Sequence, residues 1–220
     1  MTASQSFAGT VTTTVDEDNV VPGTGLSLRE AIAAAVHGLT IRNGNANGAG
    51  SDETGGGIRA EGVLFLSKCT VTANVAAIIA GGIHSEGGAA EATLENCTVS
   101  DNHTTDSHSN DAGGIISARS MHLIHCTVSN NSASNPNNPG GILVYGGTLT
   151  LENTIVAGNT SGTKPALEKR AGGTIVQNGV NLIGNSTGST LTASATLLTG
   201  NALLASLGDY GGPTACSPAP

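Results

Sequence analysis

Three aspartates and two histidines fall within one short polar stretch of the chain. They are Asp101, His103, Asp106, His108 and Asp111, and we take them as candidate binding residues. Carboxylates and imidazoles are common metal ligands, and Ca²⁺ in particular is held by carboxylate oxygens. Their spacing matches no established metal motif, however, and this composition is also typical of a solvated loop. We therefore expect no cofactor, with Ca²⁺ as the weaker alternative, and the sequence leaves the identity of any metal open.

Three cysteines offer a second kind of chemistry, because thiols bind metals and take part in redox reactions. Cys69, Cys97 and Cys126 are each followed by Thr-Val, and they recur at intervals of 28 and 29 residues. They occupy repeating apolar positions, where a thiol behaves as a small hydrophobe. We therefore predict a structural column of buried free thiols, with Cys216 in the tail also free.

The cysteine repeat belongs to a longer pattern that indicates the fold. Gly-Gly pairs recur with a similar period, at residues 56–57, 81–82, 113–114, 140–141 and 172–173. Repeats of about 20 to 50 residues are typical of solenoids, in which each unit covers the apolar face of its neighbour. The sequence therefore predicts an all-β protein, a parallel β-helix of about five to six coils with three short strands per coil.

Alternation along the predicted strands separates inward from outward positions, because residues two apart in a strand point to the same side. The inward apolar columns are Ile58, Ile83, Ile115 and Ile142, then Leu66, Leu94, Leu123 and Leu151, and finally Val71, Val99, Val128 and Val156 beside the cysteines. An asparagine stands three residues after each valine, in the set Asn74, Asn102, Asn131 and Asn159. We predict a structural role for these asparagines, with amides that hydrogen-bond from coil to coil along a turn.

The outward positions suggest two surfaces. Thr70, Thr98 and Thr127 predict a regular array of hydroxyls that resembles the ice-binding faces of other β-solenoids, although threonine is also simply favoured in strands. An apolar outward run suggests contact with a partner or self-association. This run consists of Ile116, Leu143 and Ile175.

Coil length varies almost entirely on one edge of the predicted solenoid. The variable segments are residues 43–55, 74–80, 102–112, 131–139 and 159–171. Solenoids commonly place binding loops on one side, because insertions there leave the stacking undisturbed. We expect an interaction surface on this edge, and mere tolerance of insertions explains the pattern equally well.

The two ends of the chain lack the repeating features of the coils, and we predict that they form the caps of a single domain. Residues 1–38 are predicted to form an N-terminal strand and a short capping helix, in which Ser27 and Glu30 have capping-box spacing. Residues 39–185 form the coils, and residues 186–220 form a C-terminal cap and tail. Caps are needed because an open solenoid end exposes its core and unpaired strand edges.

Residues 25–32, Gly-Leu-Ser-Leu-Arg-Glu-Ala-Ile, resemble the CSLREA motif of bacterial surface β-helix proteins, with Leu26 where the motif has Cys. The tail, from Asn-Leu-Ile-Gly-Asn at 181–185 to Gly-Gly-Pro-Thr at 211–214, is similar to the choice-of-anchor Q domain. The resemblance implies a right-handed parallel β-helix of the pectin-lyase type. It also implies a bacterial protein that is secreted or displayed on the cell surface, although residues 1–10 show no features of a signal peptide.

Composition narrows the function further. The net charge of −8 provides no basic surface for nucleic acid, and no run of 18 apolar residues predicts a membrane span. Enzymes of this fold class that cleave acidic polysaccharides need carboxylates on adjacent coils, whereas no predicted outward column stacks two carboxylates. Glu95 and Glu152 share a column but stand two coils apart, about 10 Å.

We therefore predict a non-enzymatic adhesive, scaffold or carbohydrate-contacting module, whose partner is an extracellular carbohydrate or a surface protein. A polysaccharide lyase or glycoside hydrolase is the first alternative, because this architecture hosts many such enzymes while fold alone confers no activity. An ice-binding protein that uses the threonine array is the second.

Overall fold

The computed structural model describes residues 9–11, 36–47, 54–87, 91–162, 164, 166–186, 191 and 197–208. These residues contain twenty β-strands and no helix. The strands are β1 (Gly9–Val11), β2 (Val36–His37), β3 (Leu39–Arg42), β4 (Asn45–Ala46), β5 (Ile58–Ala60), β6 (Leu64–Ser67), β7 (Thr70–Thr72), β8 (Val75–Ala76), β9 (Ile83–Ser85), β10 (Ala92–Glu95), β11 (Thr98–Ser100), β12 (His103–Thr104), β13 (Ile115–Ser117), β14 (Met121–Ile124), β15 (Thr127–Ser129), β16 (Ile142–Glu152), β17 (Ile155–Ala157), β18 (Leu167–Asn178), β19 (Asn181–Ile183) and β20 (Leu197–Thr199). The predicted capping helix and Cys216 lie outside the described residues.

The strands stack in parallel from coil to coil. Sheet A has the order β1-β3-β7-β11-β15-β17-β19-β20, sheet B the order β2-β6-β10-β14-β16-β13-β9-β5 with β18 beside β16, and sheet C the order β12-β8-β4. The long strand β16 pairs with β13 at its start and with β14 at its end, so sheet B covers two sides of the solenoid. Sheet A covers the third side. The predicted parallel β-solenoid with three short strands per coil is confirmed.

The core is the narrow aliphatic interior that alternation predicts. All twelve residues of the three predicted apolar columns are buried, and so are the three stacked cysteines. They belong to one continuous hydrophobic cluster that runs through the stack. Burial of this apolar area is the main force that holds the coils together.

The Gly-Gly pairs allow neighbouring coils to approach closely. A Cβ atom at Gly81 would lie 2.5 Å from backbone atoms of His103, and one at Gly82 would lie 2.6 Å from the backbone oxygen of Gly114. These distances are far shorter than any van der Waals contact. A side chain at either position would therefore push the coils apart.

The predicted asparagine ladder is confirmed. The side-chain oxygens of Asn102, Asn131 and Asn159 each accept two hydrogen bonds from the preceding asparagine, one from its backbone N–H at 3.0 Å and one from its amide at 2.8–2.9 Å. The second amide hydrogen of each asparagine donates to the backbone oxygen of a strand residue, in the series Ile41, Val71, Val99 and Val128. The ladder thus satisfies buried backbone groups at the corner where each coil leaves sheet A.

The predicted alignment of the last Gly-Gly pair is wrong. Gly172 and Gly173 pair with Gly146 and Gly147, and a register shift follows Val144. Leu167 therefore continues the isoleucine column after Ile142, while Ile175 pairs with Leu149 and packs against the core. The described residues contain two types of Gly-Gly pair, and spacing alone does not distinguish them. Ile175 accordingly belongs to no outward apolar patch.

Candidate functional site

The structure separates the five candidate residues of the polar loop. Asp101 occupies an exposed corner with φ of 57°, and Asp106 is exposed as well. His103 in β12 and His108 are half-buried, whereas Asp111 is completely buried. Across the described part of the chain, no three His, Cys, Asp or Glu side chains form a group that could hold a metal ion. The loop therefore does not gather its carboxylates and imidazoles into a metal site.

The variable edge is a packed structure in which loops of successive coils contact one another. The amides of Asn135 and Asn138 both donate to the backbone oxygen of His108, each at 2.7 Å. From β18, Arg170 donates to Asn138 Oδ1 at 2.6 Å and to the backbone oxygen of Ser109 at 3.0 Å. These contacts fix the loop that contains most of the candidate residues.

Asp111 lies beneath this edge as a buried carboxylic acid. Its Oδ2 accepts a hydrogen bond of 3.4 Å from the backbone N–H of Asn135, while its Oδ1 is buried with no hydrogen-bond partner among the described residues. Burial raises the pKa of Asp111 to about 6, and hydrogen bonds from Asn135 and Thr104 offset this rise only in part. Asp111 is thus a structural group that is sensitive to pH and has no access to a ligand.

The predicted self-association patch is buried. The strand register gives an outward column in sheet B that consists of Arg59, His84, Ile116, Leu143 and Glu168. Ile116 and Leu143 pack with Ala80 and Ala112 from the variable edge, in a second hydrophobic cluster. At the end of the column, Glu168 is buried and pairs with Lys164 at 2.6 Å and Arg170 at 2.7 Å. The prediction failed because outward direction in a strand does not guarantee exposure.

The predicted threonine array is also largely covered. Thr70 has 0% of its surface exposed and Thr98 has 8%, and Thr127 is half-buried. Thr72 and Ser100 in the neighbouring column are buried too, with their hydroxyl oxygens 3.3 Å apart. The hydroxyls are regularly stacked as predicted, but they do not present an exposed lattice to ice.

The cysteines form the predicted column of free thiols. The backbone N–H of Cys69 donates to Cys97 Sγ at 3.4 Å, and that of Cys126 donates to the Thr154 hydroxyl at 3.2 Å, which continues the column. A hydrogen bond with the Cys126 thiol and burial both raise the pKa of Cys97, to about 12. Cys97 therefore resists ionisation, which makes this thiol a poor nucleophile and a poor metal ligand.

The most exposed of the three sides is the half of sheet B formed by β6, β10, β14 and the ends of β16 and β18. Its outward side chains stack in two columns, the first with Phe65, Thr93, His122, Thr150 and Val176, and the second with Ser67, Glu95, Ile124, Glu152 and Asn178. All ten residues, which we call the open face, are half-buried or exposed. At its rim, Glu91 lies 2.9 Å from His122 Nε2. The open face is a flat surface of mixed chemistry.

Sequence reasoning missed a charged cluster beside the first strands of sheet B. Arg59 binds Glu61 at 2.9 Å and Glu86 at 2.6 Å, so two carboxylates from neighbouring coils meet at one guanidinium. These two glutamates lie just beyond β5 and β9, outside the outward columns considered in the sequence, none of which stacks two carboxylates on adjacent coils. The signal was present, because Glu61 and Glu86 each stand four residues after the second glycine of a pair, just beyond the strand.

His84 completes this cluster, with its Nε2 atom 3.7 Å from Glu86. Burial lowers the pKa of His84, and the attraction of Glu86 offsets this only in part. The imidazole is therefore neutral at neutral pH, and its Nδ1 atom is buried with no hydrogen-bond partner in the part of the chain that the structure describes. The cluster contains an acid pair, a guanidinium and a neutral imidazole.

Comparison with protein-family models, with curated proteins and with solved structures finds no match for this chain. Within the described residues, no helix has the length and apolar character needed to cross a membrane.

Proposed function

We propose that the protein is a non-enzymatic carbohydrate-binding module of the bacterial cell surface or extracellular space. The observation that carries this proposal is the open face, since the outward columns of the other two sides are largely buried. Its hydroxyl and carboxylate groups suit the hydroxyls of a sugar, and its apolar side chains suit the flat face of a pyranose ring. The bacterial and extracellular location rests on the resemblance of residues 25–32 and of the tail.

A panel of soluble polysaccharides tests this proposal. The panel contains neutral glucans, acetylated and deacetylated amino-sugar polymers, and uronate polymers, and binding is measured by affinity electrophoresis and calorimetry. We expect at least one class to bind without release of new reducing ends. A protein that binds none of the panel contradicts the proposal, and capture of a purified surface protein instead would replace carbohydrate by protein as the partner.

Polysaccharide cleavage is the second candidate, and the cluster around Arg59 favours it. Most glycosidases use a pair of carboxylates, and lyases abstract a proton with a basic side chain. Glu61 and Glu86 are both engaged by Arg59, which leaves neither carboxylate unpaired for proton transfer. Turnover of any panel member by the native protein that is lost in Glu86→Gln would establish this activity. The ice-binding alternative has no comparable support, because Thr70 and Thr98 are buried.

A further inference from the structure

We infer that the open face binds a linear β-1,4-linked glycan that carries free amines, with the glycan lying along the axis of the coil stack. This inference rests on the proposed function and specifies its ligand. It is carried by the placement of two carboxylates in the second column of the open face and by the apolar and hydroxyl groups beside them.

Glu95 and Glu152 lie in one column, with Ile124 of the intervening coil between them. Parallel strands stack about 4.8 Å apart, so the two carboxylates recur at about 10 Å along the axis. Among the described residues, neither carboxylate forms an ion pair. Glu95 Oε1 accepts one hydrogen bond, from the side-chain amide of the neighbouring Asn96 at 3.4 Å. Both are therefore open to a cationic partner.

The first column provides the second half of the surface. Phe65 and Val176 offer apolar contact near its two ends, and Thr93 and Thr150 offer hydroxyls between them. Residues two apart in a strand are about 7 Å apart, so the two columns flank a strip of roughly that width. A chain of pyranose rings that follows this strip contacts both columns at every coil.

The periodicity of a β-1,4-linked chain matches this arrangement. Each sugar of an extended chain is flipped relative to the one before, so groups of one kind face the same side at every second sugar. The carboxylates likewise recur at every second coil. Protonated amines on one side of the glycan can therefore pair with Glu95 and Glu152, whereas the carboxylates of a uronate polymer would be repelled.

Three hexasaccharides test the inference: β-1,4-linked glucosamine, its N-acetylated form and cellohexaose. Calorimetry is run at a pH at which the sugar amines are protonated and at about 0.15 M salt, which screens long-range attraction to the net charge. We expect the glucosamine hexamer to bind at least tenfold more tightly than the other two. Glu95→Gln and Glu152→Gln should each weaken its binding about fivefold, the upper range for an exposed ion pair.

Asp106→Asn is the matched control, because it removes one exposed charge from the variable edge and should leave binding unchanged. Circular dichroism verifies that each variant is folded, and the preference among hexamers is measured on the native protein. Equal affinity for the three hexamers, or equal losses in Asp106→Asn and Glu95→Gln, would overturn the amine pairing while the proposed function stands. Failure of every hexamer and of the whole polysaccharide panel would overturn both.

Discussion

Replacement of Asn102 by alanine should remove about 4 kcal/mol of stability, because this one side chain takes part in four buried hydrogen bonds. Its amide donates to the Val71 oxygen at 3.0 Å and to Asn131 Oδ1 at 2.9 Å. Its oxygen accepts from the backbone N–H and the amide of Asn74, at 3.0 Å and 2.8 Å. Each hydrogen bond of this kind contributes about 1 kcal/mol net to stability. The loss is thus a large share of the 5–15 kcal/mol typical of a domain.

Urea unfolding followed by far-ultraviolet circular dichroism measures this loss. Asn137→Ala is the matched control, because Asn137 is an exposed asparagine of the variable edge, and its replacement should cost less than about 0.5 kcal/mol. A cost for Asn102→Ala that equals the cost for Asn137→Ala would refute the argument. It would mean that water replaces the ladder without loss, and that the ladder does not hold the coils together.

Three further predictions concern buried groups. The three stacked cysteines should resist alkylation in the folded protein and react after denaturation, as mass spectrometry would show; rapid labelling of the native protein would contradict their burial. The pKa of Asp111 rises from 3.8 to about 6 on folding, so its protonated form favours the fold below pH 3.8, and this contribution is lost as the pH rises through 6. The free energy of unfolding of Asp111→Asn should therefore rise relative to that of the native protein between about pH 4 and pH 7.5, by at most about 3 kcal/mol. A difference in free energy of unfolding between the two proteins that stays constant over this pH range, measured by urea unfolding, would contradict the raised pKa of Asp111. Leu143→Ala should cost about 3 kcal/mol in the same assay, against less than about 1 kcal/mol for Val176→Ala on the open face, and equal costs would show that Leu143 is not covered.

Strand periodicity predicted the interior of this fold because inward direction and burial coincide there. The cysteine and isoleucine columns follow from alternation and period alone, and the position of Asn102 relative to Val99 marks the turn. These features depend on contacts between equivalent residues of adjacent coils. A repeat in the sequence therefore specifies them directly.

Exposure on the outward sides could not be predicted in the same way. Thr70 and Ile116 point away from the interior, yet both are buried, because exposure depends on what packs against a side of the sheet. Ile175 was misplaced because the described coils have two kinds of Gly-Gly pair and a register shift follows Val144. The pairing of Glu61 with Glu86 through Arg59 depends on side chains that meet just beyond the strands, which alternation does not describe.

The most direct test of the proposed binding face compares Thr150→Arg with Thr105→Arg for the polysaccharide that binds the native protein most tightly. Thr150 lies within the open face, and Thr105 is an exposed residue of the variable edge. A bulky side chain at Thr150 should block the strip between the two columns and reduce affinity at least tenfold, while Thr105→Arg should bind as the native protein does. Unchanged binding by Thr150→Arg, or a greater loss in Thr105→Arg, would contradict the assignment of the open face as the binding surface.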